Sequence, residues 1–128
     1  MTTGSWEPAA PSLPDKALLL KASKLIEPEQ FSNEPVAELQ PLQGQMQMNR
    51  SHWQETLASL ETDELKALCR FFTLAEANWS DWFGGERNPV IWICKELKTR
   101  GAFPDKDLTS WIKANSENRF LPYGNVLG

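Results

Sequence analysis

From Thr62 to Trp79, Leu65, Leu68, Cys69, Phe72 and Ala75 recur at helical spacing, and Phe71 and Leu74 widen the stripe. A stretch of that length and period predicts an α-helix with a broad apolar face, which other elements must cover. Thr62 is positioned to cap it, Asp63 and Glu64 favour the positive end of its dipole, and Trp79 marks its end. A single helix does not fold alone in water, so the rest of the chain must supply its packing partners.

Those partners also read as helices. Asn88 followed by Pro89 opens one, because proline at the first helical position has no N–H to leave unsatisfied. Gly101 closes it where a left-handed cap costs glycine little. Its apolar run, Val90, Ile91, Trp92, Ile93 and Cys94, also fits a short buried strand. The flanking caps and the helix formers Lys95, Glu96, Leu97 and Lys98 favour a helix, expected at the centre of the bundle. Ser51 and Gln54 fit a capping box for a helix reaching about Leu60. A last helix over 105–115 is expected to bury Leu108, Trp111 and Ile112, with Phe120, Leu121 and Tyr123 packing back onto the core.

Upstream, Leu18, Leu19, Ala22, Leu25 and Ile26 form one stripe of a helix that starts at Pro14 or Asp15 and closes at Pro28. Over 27–49, Pro28, Pro35 and Pro41 interrupt any long helix, and Gln40, Gln43, Gln45 and Gln47 make the segment polar. At most a helical turn over 36–39 is expected there. The predicted architecture is all-α, a small bundle of four to five short helices with a flexible N-terminal arm. Residues 1–14 read as a disordered tail, 15–48 as an amphipathic helix plus a Pro/Gln-rich linker, and 49–128 as the helical core domain.

Composition narrows the function classes. The 128 residues are 41% hydrophobic and 23% charged, which is ordinary for one globular domain, although six tryptophans are many for this length. No run approaches the roughly 20 apolar residues of a transmembrane helix, and the N-terminus lacks the basic and apolar regions of a secretory signal. No membrane partner is expected. Cys69 and Cys94 lie in apolar periodic segments without metal-type spacing and read as buried free thiols, which points to a reducing, cytoplasmic compartment. Net charge is −4 overall, with −6 over residues 1–85 and +2 over 86–128. That balance disfavours a dedicated duplex-DNA binder.

Catalytic signals are sparse. His52 is the single histidine, which constrains triads and histidine-based metal sites, and neither cysteine has the basic neighbours that lower a thiol pKa. No cofactor or metal is expected. The most unusual stretch is 79–87, where Trp79, Trp82 and Phe83 fall between helices and Gly84 and Gly85 follow. Those rings either seal one end of the bundle or stay exposed as anchors, since tryptophan and arginine dominate interface hot spots. The candidate partner-binding residues are therefore Trp79, Trp82, Phe83 and Arg87, with Arg119 and Tyr123 beside them. A nucleotide site at the two glycines is disfavoured by Glu86 and by the absence of a phosphate-loop pattern.

The reading is a non-enzymatic protein–protein interaction or regulatory module. The alternative is weak nucleic-acid binding through a C-terminal helix-turn-helix-like hairpin, using Lys95, Lys98, Arg100, Lys106 and Lys113, although Asp105 and Asp107 sit where base edges are usually approached. A second alternative is an enzyme whose site is not visible in the sequence.

Overall fold

The computed structural model describes residues 14–26, 31, 36–79, 81–103, 106–116 and 118. Among them the architecture is all-α, with α1 (Lys16–Ala22), α2 (Gln40–Gln43), α3 (Arg50–Ala58), α4 (Thr62–Asn78), α5 (Pro89–Thr99) and α6 (Lys106–Asn115). Short 3-10 turns at Ala37–Leu39 and Gly85–Arg87 lead into α2 and α5. The stretch Val90 to Cys94 is helical, as its caps predict. The tail at 1–13 and the closing Phe120, Leu121 and Tyr123 lie outside the described residues.

The hub is α4 rather than the expected α5. It packs against α1, α5 and α6, while α5 also lies on α3. The stripe explains this: Leu65, Leu68, Cys69, Phe71, Phe72, Leu74 and Ala75 are all buried, and an apolar face that wide serves several neighbours. On the α6 side, Trp111 is half-buried rather than enclosed, with the Arg70 guanidinium 5.8 Å from its ring centroid.

The segment expected as an arm joins the same core. Leu19 and Ala22 of α1, together with Leu39, Leu42 and Met46, are buried in one cluster with the residues of α3, α4 and α5. Pro41 does not interrupt here; it occupies the first turn of α2, where its missing N–H would have had no partner. α1 is shorter than predicted and stops well before Pro28. The Ser23 hydroxyl donates to the Leu20 carbonyl at 2.6 Å, and i→i+3 bonds from Lys24 and Leu25 tighten the last turn into a stop.

Caps explain two further shifts in boundary. Asn49, not Ser51, begins α3: its Oδ1 accepts from the His52 N–H at 3.1 Å, and the Ser51 hydroxyl donates to the same oxygen. At α4 the cap is Glu61 rather than Thr62, with the Glu61 N–H donating to the Glu64 carboxylate at 2.8 Å. α5 ends as predicted. Gly101 has φ +76°, its N–H donates to the Lys98 carbonyl, and the Ala102 N–H reaches back to the Leu97 carbonyl at 2.8 Å.

Candidate interaction site

The connection over 79–87 is a braced platform, and its centre is a residue that sequence patterns do not single out. Glu76 stands in the last turns of α4 with its carboxylate facing the connection. Oε2 accepts from the Gly84 N–H at 2.8 Å and the Gly85 N–H at 2.9 Å. Oε1 accepts from the side-chain amides of Asn88 at 3.0 Å and Asn118 at 2.8 Å. Charge-assisted bonds of this kind are the stronger class. Asn88 is fully buried and uses both ends of its amide, since its Oδ1 also accepts from the Val90 N–H and caps α5. Asn118 adds a bond to the Gly85 carbonyl at 3.0 Å. One carboxylate thus ties the end of α4, the Gly84–Gly85 turn, the start of α5 and the C-terminal segment together.

A second brace comes from the Gln-rich segment. The Gln43 side chain donates to the Asp81 carbonyl at 2.8 Å, and that of Gln47 to the Phe83 carbonyl at 3.0 Å. The segment is itself pinned by indole N–H groups: Trp53 donates to the Gln45 carbonyl and Trp92 to the Met48 carbonyl, each at 3.0 Å. Packing between segment and platform is tight. A Cβ on Gly84 would lie 2.7 Å from the Asn88 Cα and 2.9 Å from the Met46 carbonyl oxygen, so only glycine fits. What reads in the sequence as a polar linker is a strap that fixes the platform's backbone.

The platform divides its aromatics. Trp79 and Trp82 are 1% and 0% exposed, within an edge-to-face cluster that also holds Phe71. Phe31 stacks on Trp79 with ring centroids 4.7 Å apart. These two tryptophans seal the bundle, with their rings withdrawn from the surface. The Trp82 N–H is buried without a hydrogen-bond partner among the described residues, so apolar packing outweighs that donor's desolvation.

Phe83 points the other way and is 62% exposed, more than any other large hydrophobic residue described. Its ring leans over Gly85, where φ is +55°; a Cβ there would come within 2.9 Å of the ring's Cζ. Asp81, Glu86 and Arg87 are exposed around it in the chain. Arg119 and Tyr123, the other candidate contacts, lie outside the described residues.

The basic candidates at the C-terminal end are less concentrated. Lys98, Lys106 and Lys113 are exposed and Lys95 is half-buried. Arg100 is engaged within the molecule: Nε pairs with Glu96 at 2.9 Å, Nη1 donates to the Thr62 hydroxyl, and Nη2 donates to the Leu57 and Ala58 carbonyls. It caps α3 and joins three helix ends. α6 packs on α4, with little contact to α5, whereas a helix-turn-helix packs its two helices on each other.

The titratable side chains nearest the platform and its strap are engaged within the molecule. Glu76 has both oxygens occupied by N–H donors. His52 pairs through Nε2 with the Gln45 side chain. Among the described residues no cluster of three or more His, Cys, Asp or Glu side chains is arranged to hold a metal ion. Comparison with known proteins finds no family model, no curated relative and no solved structure that matches this chain.

Proposed function

We propose that this chain is a non-enzymatic interaction or regulatory module that binds another protein through Phe83, with Arg87 beside it. The observation that carries the reading is an apolar ring 62% exposed on a backbone that is braced from two sides. Exposing a phenylalanine forgoes roughly 1.5–3 kcal/mol of burial. Bracing it also removes most of the ordering entropy that a mobile loop would lose on binding. A braced aromatic with Asp81, Glu86 and Arg87 exposed near it in the chain has the composition of an interface anchor. We place the module in the cytoplasm, a reading supported by its two unpaired, buried thiols. No described helix is long and apolar enough to cross a membrane.

The test is affinity capture from nuclease-treated lysate of the native host, using the full chain. Wild type is compared with Phe83→Ser and with Leu25→Ser, a control at the other exposed large apolar side chain among the described residues, each shown to be folded by circular dichroism. A stoichiometric protein held by wild type and Leu25→Ser but lost from Phe83→Ser is the expected result. A partner retained by Phe83→Ser counts against Phe83 as the anchor.

A further inference from the structure

We propose that Cys69 and Cys94 form a redox staple, an internal dithiol that closes to a disulfide between α4 and α5 when a peroxide reaches it. Cys69 lies on α4 and Cys94 on α5, both are fully buried, and their sulfurs are 3.8 Å apart. That is van der Waals contact, and bond formation requires the sulfurs to close to ~2.05 Å. No thiol of another molecule reaches either sulfur in the folded chain, so oxidation is directed to the intramolecular bond. The residues are 25 positions apart, and Glu76, Trp82, Phe83, Gly84, Gly85 and Asn88 all lie between them. Closing the bond therefore places the whole platform inside a covalent ring. This inference does not rest on the platform having a protein partner.

The chemistry balances with one equivalent of hydrogen peroxide. One sulfur, as thiolate, attacks the peroxide O–O bond, becomes a sulfenic acid and releases hydroxide. The second sulfur attacks the sulfenic sulfur, the S–S bond forms, and the sulfenic oxygen leaves as water once protonated. Two thiols and one peroxide give one cystine and two waters. Burial, reinforced by the neighbouring Cys94, pushes the Cys69 thiol well above its usual range. Little thiolate is then present at neutral pH, so closure is slow in the folded state and quickens when the α4–α5 seam opens.

The experiment treats the full wild-type chain with hydrogen peroxide in native buffer, then alkylates it under denaturing conditions and measures intact mass and peptide map. The expected product has lost both thiols together, is lighter by two hydrogens, stays monomeric and yields one peptide pair joined through Cys69 and Cys94. Dithiothreitol restores it. The cross-linked form should melt roughly 5–10 °C higher, because a closed ring restricts the unfolded chain. Sulfinic or sulfonic products at one cysteine, intermolecular dimers, or both thiols still alkylatable after peroxide exposure longer than the exchange time of the α4 and α5 amide hydrogens would each overturn the staple. The measurement needs no variant, so a folding defect in a cysteine mutant does not obscure it.

Discussion

The platform at 79–87 and the basic C-terminal region treat their side chains in opposite ways. At the platform, the polar groups of Glu76, Gln43, Gln47 and Asn118 are spent on backbone, and an apolar ring is left in solvent. At the C-terminal end, the guanidinium of Arg100 is spent on helix ends, while Lys98 of α5 and Lys106 and Lys113 of α6 are exposed. Internal bonding fixes the site in the first case and subtracts a cation from it in the second. Which atoms are already satisfied says more about a surface than which residue types it contains.

Several substitutions press on that contrast. Removing the Glu76 carboxylate should have the largest effect, since it strands the N–H groups of Gly84 and Gly85 and the amides of Asn88 and Asn118. Glu76→Ala is expected to lower stability by about 3 kcal/mol in urea titrations. Arg100→Ala should cost about 2 kcal/mol, because Leu57, Ala58, Thr62 and Glu96 all lose a partner. A neutral result there would return Arg100 to the surface as a phosphate contact and narrow the difference between the two regions.

The left-handed glycines sharpen the comparison. Gly101→Ala meets open space and pays only for its backbone angle, about 1 kcal/mol. Gly85→Ala adds a collision with the Phe83 ring and should cost about 1 kcal/mol more, with Phe83 displaced from its resting position. Thermal melts of the pair give the difference directly. Smallest of all is Phe83→Ser, expected within about 0.5 kcal/mol of wild type while abolishing partner capture. A large loss of stability from that change would mean the ring serves the fold.

The elements with strong periodicity were legible in the sequence. The α4 stripe, the proline start and glycine end of α5, and the pairing of Leu108 with Ile112 in α6 follow from spacing and caps alone. What stayed hidden depends on contacts distant in the chain. Gln43 and Gln47 look like solvated linker residues until the backbone of Asp81 and Phe83 is brought to them. Glu76 looks like one more acid on a helix, and nothing nearby announces that Asn118 will reach it from 42 positions away. The aromatics of 79–87 stand out as a group in the sequence, but burial of Trp79 and Trp82 and exposure of Phe83 turn on the direction of a few backbone bonds. Local composition does not carry that information.

The most direct measurement of the central claim is site-specific photo-crosslinking in living host cells, with a photoreactive phenylalanine analogue at position 83 or, separately, at position 106. The account predicts a discrete protein adduct from position 83 and none from position 106. Nuclease-sensitive adducts from position 106, with none from position 83, would contradict it.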